Sequence, residues 1–455
     1  MKLAAPLALT CWLLPASVGR AAWSAPQRLS DESPLEHREP QVAIDASGDA
    51  IAVWNQGHYP HSAIEASTRR AGGPWSTPER LDTGAPSAST ETVAIDSHGE
   101  ATVVWVRETT VRRRRYTQVK ARSTDGGGRW GGIATLASNR EPAQPFEPRI
   151  TVPRIAVNAD GTLVVAYNIK RGARHEFIEV SRRRRNRRWR GPSVVARAAN
   201  TSETQLATDA RGETILAWLT GPPYEDGGEV NVLFLGRRGK PESRPRVLSP
   251  KSQASWGVAL AVDPSGDAVV SWGQKLADGE GQGRIEVATR IAGRGFTKPA
   301  RIVHKAYPAQ AAITPQGEAV LLFQTETPTG KFEGRSATVE VATHPLRGAW
   351  SKPFRLSPRE GSAPLLAANA RGDLITVWRA LAPGSTSDYP NLEFEGALRP
   401  SGQSWQALPL IPLGHVSAEE PSVAVNTGNV VLVWPSEVLY AKRTTRWVEV
   451  ATYTP

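Results

Sequence analysis

The chain has 455 residues, 40% of them hydrophobic, with 40 Gly, 36 Pro and one Cys. That Gly and Pro content suits a turn-rich all-β chain with a large core. The net charge of +11 comes from 55 Lys and Arg against 44 Asp and Glu, with arginine concentrated in two runs. Beyond the N-terminus no stretch approaches the roughly 18 apolar residues of a membrane-spanning helix.

Residues 1–21 read as a secretory signal peptide. Lys2 supplies the positive start and Leu3 to Val18 is mostly apolar. Gly19-Arg20-Ala21 before Ala22 offers small residues for cleavage near Ala21. The expectation is therefore a secreted, extracytoplasmic protein, against the alternative of a disordered cytosolic N-terminus. Cys11 lies in this segment, and Leu9-Thr10 before it does not suit lipidation. The mature chain would then have no disulfide and no cysteine-ligated metal.

Trp23–Leu29 follows as W-S-A-P-Q-R-L, an edge-strand pattern because proline cannot donate to a ladder. Gln41 to Trp54 reads as a β-hairpin, strands A and B, turning at Asp45-Ala46-Ser47-Gly48. Ala50 and Ala52 alternate with Ile51 and Val53, so neither face is charged and both are expected to be buried. Strand C is Ile64–Arg69, with polar residues such as Glu65 on one side. Strand D is Trp75–Leu81, a copy of the Trp23 segment.

The hairpin recurs in eight copies, closing on Trp54, Trp105, Tyr167, Trp218, Trp272, Phe323, Trp378 and Trp434. A period of about 50 residues marks a propeller or solenoid array. Four-stranded sheets with two apolar faces must cover one another, which radial closure achieves. The expected fold is all-β: a β-propeller of eight four-stranded antiparallel blades, with seven as the alternative count, forming a single domain over residues 22–455. Each closing aromatic should wedge between neighbouring blades. Either Trp23–Leu29 or Trp447–Val450 could supply the last outer strand, with the N-terminal segment favoured.

At Ser123-Thr124-Asp125-Gly126-Gly127-Gly128-Arg129-Trp130 the chain resembles the Asp-box (bacterial neuraminidase repeat) β-propellers of the sialidase-like superfamily. Ser123, Asp125, Gly127 and Trp130 fit the pattern S-x-D-x-G-x-T-W, and Arg129 departs from it. The resemblance makes this segment a structural C–D turn, and implies a sialidase-like exo-glycoside hydrolase with a divergent active site as one functional reading. Such enzymes hold a carboxylate with three arginines and cleave with a Tyr–Glu pair plus an Asp. Arg38, Arg107, Arg154 and Arg379, with Tyr59 and Tyr307, are placed near the channel mouth, but the family's F-R-I-P motif is absent. No catalytic residue is assigned.

Strand direction puts the A–B and C–D turns on one face, and the longer B–C loops and D–A connections on the other. The second face is the expected binding surface. Glu39, Glu91, Glu203 and Glu420 stand just before A strands, where they form either a cation or polyol site or solvated carboxylates. The candidate ligand residues are these four with Arg107, Arg154, Arg379 and Tyr307. The favoured function is a non-catalytic binding or scaffold protein for carbohydrate or protein on the loop face. No cofactor or metal is expected, since His58 and His61 in H-Y-P-H lack a clustered carboxylate. Arg112–Arg115 in a B–C region and Arg182–Arg190 in a C–D turn either attract an acidic polymer or are solvated tips. Nucleic acid is disfavoured, because a single Trp interleaves the second run.

Overall fold

The computed structural model describes residues 22–58, 61–82, 87–142, 153–171, 175–198, 200–221, 228–250, 254–275, 283–328, 335–382, 392–411, 417–418, 421–440 and 443–454. The segment 1–21, with Cys11, lies outside them, as do Tyr59, Glu420 and much of the B–C loops. Strands and turns make up the described residues, and no helix occurs among them. None is therefore available there to cross a membrane.

Each unit is named here by its closing aromatic. The Trp54 unit pairs His37–Ile44, Ala50–His58, His61–Arg69 and Glu79–Arg80, antiparallel and in chain order. The same A–B–C–D order returns in the Trp105, Tyr167, Trp218 and Trp378 units. In the Trp272 and Phe323 units one long strand, Ala300–Ile313, is outermost in the first and innermost in the second, joining them into one sheet. In the Trp434 unit the inner strands are Ser422–Val425, Val430–Tyr440 and Arg443–Thr454. Its outer edge is Ala22–Trp23 and Gln27–Arg28, which pair with Arg443–Thr454. The N-terminal segment thus supplies the closing strand, and Trp447–Val450 belongs to strand C.

The A strands follow one another around a ring. His37–Ile44 packs on Ser87–Ile95, which meets Arg154–Val157, then Thr201–Thr208 and Ser255–Val262. Ala300–Ile313, Gly361–Ala368 and Ser422–Val425 continue the succession, and Ser422–Val425 returns to His37–Ile44. The chain is thus a β-propeller of antiparallel sheets.

The closing aromatics lie between sheets, each at most 2% exposed. Trp105 packs with Ile51, Val53, Ile64 and Leu81 of the preceding unit. Trp218 packs with Val164, Ala166 and Ile178. Trp54 closes the ring against Val431, Val433 and Val448. Burying such rings contributes a few kcal/mol each at roughly 25 cal/mol per Å².

The A–B turns use their Asp as a local backbone acceptor. Asp45 Oδ1 takes the N–H groups of Ser47, Gly48 and Asp49 at 2.9 Å each, and Gly48 adopts φ 101°. The acid after the glycine reaches the adjacent C–D turn: Ala71 N–H donates to Asp49 Oδ1 at 2.9 Å, Ala292 to Asp267 at 2.7 Å, and Ser401 to Asp373 at 2.8 Å. The two kinds of turn therefore share one face. In the Ser123–Trp130 turn, Asp125 Oδ1 accepts from Gly127 N at 2.8 Å and Arg129 N at 3.1 Å, which holds the Asp125 carboxyl below the usual range. Ser123 Oγ meets Thr102 Oγ1 at 2.8 Å, and Arg122 lies over the Trp130 ring.

Strand C keeps its polar side, and that side is largely buried. The residue opposite the closing aromatic is buried in five units, as Glu179, Glu286, Glu395, Lys120 and Asn231, and half-buried in the other three, as Glu65, Glu340 and Glu449. Neighbouring sheets cover both faces here, so alternation does not report exposure.

Candidate functional site

The A strands line the central channel. Ala43, Ala94, Ala156, Ala207, Ala367 and Ala424 border a void of about 420 Å³ with the Ile, Val and Leu residues beside them. Alanine recurs at this register because the strands converge and a larger side chain would fill the space.

At the loop-face end of the channel the A strands carry a two-residue register skip. It falls at Glu39-Pro40, Thr90-Glu91, Glu203-Thr204, Gly257-Val258 and Ala363-Pro364. Glu39 and Glu203 hold the first position, both at φ 51°. Such backbone is strained for a residue with a side chain. For Glu203 the strain is offset across the sheet boundary, where Oε2 accepts the Val258 N–H at 2.8 Å. Burial holds this carboxyl above the usual range, moderated by the Val258 and Gly257 N–H groups.

Glu91 holds the second position. One residue of offset turns a side chain to the opposite side, and Glu91 is buried with no hydrogen-bond partner on either carboxylate oxygen among the described residues. Burial pushes its carboxyl up to about 8, which its own backbone amide opposes and the nearby Glu39 charge reinforces. The sequence groups Glu91 with Glu39 and Glu203, whereas the register separates it from them.

Arg154 opens its A strand and donates from Nε to the Thr204 carbonyl at 3.2 Å, beside Glu203. Arg154 and Glu203 therefore act at two successive boundaries, the first between the Tyr167 and Trp218 units and the second between the Trp218 and Trp272 units. Arg107 lies elsewhere, with Nη1 3.8 Å from Asp82 Oδ1 of the neighbouring unit. Arg379 stands opposite Ser362 next to the Ala363 skip, and its buried Nε meets no hydrogen-bond partner among the described residues. Tyr307 is in the equivalent strand start of the Phe323 unit, with its hydroxyl 3.4 Å from Glu326 Oε2. Gln324 Nε2 donates to Glu326 Oε1 at 2.9 Å, and Ala363 N–H donates to Gln324 Oε1 at 3.0 Å. Tyr307, Glu326 and Gln324 therefore form one cluster at the boundary with the Trp378 unit. Arg38 pairs with Glu36 at 2.5 Å.

The arginine runs lie on opposite faces. Arg112 and Arg113, at φ 48° and 61°, are the two residues of a tight B–C turn. Arg184–Trp189 forms the C–D turn between His175–Arg183 and Arg190–Ala198.

Two groups of residues escape the sequence reading. The first comprises the C-strand acids on the closing rings: Trp54 Nε1 donates to Glu65 at 3.1 Å, and Trp378 Nε1 to Glu395 at 3.0 Å. Arg359 Nε is 2.6 Å from Glu395 Oε1. The second comprises the acids that follow the turn glycines. Both recur at a fixed offset in the repeat, and that offset was the available signal.

No family profile and no curated protein sequence matches the chain. Solved structures do match. The polysaccharide lyase Uly1 aligns with a TM-score of 0.50 at 10% identity, over 96% of this chain and 94% of that one. A PL25 ulvan lyase aligns at 0.49 and 9% identity, over 92% and 94%. The GH93 α-L-arabinofuranosidase of Fusarium graminearum aligns at 0.42 and 14%, over 70% and 97%. At these identities the likeness to the lyase Uly1 is one of fold, and it runs almost the full length of both chains.

Proposed function

We propose that this chain is an exported, eight-bladed Asp-box propeller that binds a carbohydrate on its loop face without cleaving it. The observation that carries the reading is the use already made of the rim side chains. Glu203 and Arg154 are bonded to backbone groups of the next sheet, so these two hold the ring rather than wait for a substrate. The full-length likeness to a polysaccharide lyase supports a saccharide as the ligand class. The eight repeats and the succession of A strands support the blade count, and Lys2 with the apolar run after it supports export.

Export would be tested by N-terminal sequencing of the secreted chain, which should begin near Ala22. The ligand would be tested with a glycan array. A blank array would redirect the search to a protein partner on the same face.

The Tyr307–Glu326 contact favours a second reading, a sialidase-like hydrolase. A fluorogenic sialoside separates the two. Turnover that disappears in Tyr307→Phe would establish the hydrolase, and an uncleaved substrate at high protein concentration would remove it.

A further inference from the structure

On the opposite face, the C–D turns of the Tyr167 and Trp218 units enclose a cleft of about 570 Å³. Arg182, Arg184, Arg187, Arg188 and Arg190 line it from one side. Arg237 and Arg238, distant in sequence, line it from the other. The volume lies within the roughly 300–1,000 Å³ typical of ligand sites.

Strand alternation divides the arginine run. Arg183 and Arg185 turn towards the Trp105 unit, where Arg183 pairs with Glu100 and Arg185 Nε lies 3.7 Å from Asp96. Arg182 and Arg184 turn the other way, into the cleft. Among the described residues no carboxylate pairs with Arg184, Arg187, Arg188, Arg190, Arg237 or Arg238. Asp160 is close enough to interact with Arg182 and Arg184, but its Oδ1 is engaged by the Thr162 N–H at 2.9 Å.

One position contributes to the surplus. The residue after the turn glycine is Asp49, Glu100, Asp267, Glu318 or Asp373 in five other units, and each binds a C–D turn amide or a strand-C arginine; the Trp218 unit has Glu213 there and the Trp434 unit Asn429. In the Tyr167 unit it is Thr162, which lines the cleft.

The cleft also continues. Arg187 borders a second void of about 440 Å³, which reaches Arg129 and the Trp130 and Trp189 rings. Two adjoining clefts suit a chain-like ligand rather than a single small ion. One face of each ring is already covered, by Arg122 at 5.6 Å and Arg183 at 5.4 Å, which leaves poor platforms for nucleobases. Guanidinium groups match carboxylate and sulfate oxygens in fork geometry.

We infer that this turn-face cleft is a binding site for an acidic glycan, one bearing carboxylate or sulfate groups. It is separate from the loop-face site proposed above and does not depend on it.

The test is equilibrium binding of the secreted chain to dextran sulfate, polygalacturonate, neutral dextran and oligothymidylate. Binding to either acidic glycan, but not to dextran, is expected. Which of the two binds identifies sulfate or uronate as the source of the charge. In Arg184→Gln/Arg188→Gln/Arg237→Gln the affinity should fall by about tenfold or more, with a shallower salt dependence. Thr162→Glu, which removes no arginine and restores the acid of the sister units, should weaken binding in the same direction. Arg112→Gln/Arg113→Gln on the other face should leave it unchanged. Failure of both acidic glycans to outbind dextran would overturn the proposal. So would equal loss in the Arg112/Arg113 variant, full affinity in the Thr162→Glu variant, or tighter binding of oligothymidylate.

Discussion

Trp105 Nε1 donates to Asp82 Oδ2 at 2.8 Å, joining the second sheet to the end of the first. Asp82 is almost wholly buried and also lies 3.8 Å from Arg107. In the Trp54 and Trp378 units the ring's partner is a strand-C glutamate. The Trp105 unit has Lys120 at that position, and the acid comes instead from the neighbouring sheet. Charge has been exchanged across the boundary, and the ring N–H stays satisfied.

This exchange predicts a coupled pair. Asp82→Ser takes the carboxylate away from Trp105, Arg107 and Lys120 and should cost about 3–5 kcal/mol. Adding Lys120→Glu restores the arrangement of the sister units and should recover most of that loss. Urea denaturation of the four members of the cycle reads the coupling, and strictly additive effects would refute it.

The closing aromatics differ in their polar needs. Trp218 Nε1 has no hydrogen-bond partner among the described residues, so Trp218→Phe should change stability by less than about 1.5 kcal/mol. Trp218→Ala opens a cavity between sheets and should cost about 3–5 kcal/mol. Trp105→Phe should exceed Trp218→Phe, because it strands the Asp82 carboxylate. Thermal denaturation of the three variants orders them.

Glu91 makes stability depend on pH. Its carboxyl is raised from 4.5 to about 8 in the folded chain. Between those values the native state binds a proton that the unfolded state releases. Stability should therefore fall as pH rises from about 4.5 to about 8, then level off. Glu91→Gln removes this slope and should gain on the parent by up to a few kcal/mol at pH 8. A difference between the two proteins that does not vary over pH 5–8 would contradict it.

The ring closes on a serine. Ser30 Oγ accepts the Val448 N–H at 2.9 Å, and Leu29 N–H donates to Val448 O at 2.8 Å. Ser249 and Ser357 make the same bond to Val230 and Val339 inside their own sheets. Ser30→Ala should cost about 1–3 kcal/mol, as the other two serines should, by leaving a buried amide unpaired. Because its clasp joins the two ends of the chain, Ser30→Ala alone should also speed limited proteolysis near Ser33. Equal proteolysis in all three variants would count against the clasp.

The repeat was legible because the buried ring at the end of each strand B is demanded by packing between sheets. Trp54, Tyr167 and Phe323 sit in equivalent places, and any of these rings fills the gap. The N-terminal closing strand was half legible: W-S-A-P marks an edge without saying whose. The candidate rim was not legible. Glu39, Glu91 and Glu203 look alike in the chain, and a one-residue difference in register buries one of them while the other two take a strained turn.

The sequence by itself determined that these units are antiparallel sheets with apolar faces on both sides, since alternation, turn residues and the terminal aromatic are local properties. Only the tertiary structure decided which charges meet. The pairing of Asp82 with Trp105 and the convergence of Arg184 and Arg237 on one cleft lie across sheet boundaries. They depend on where neighbouring sheets bring distant residues, and no local pattern encodes that distance.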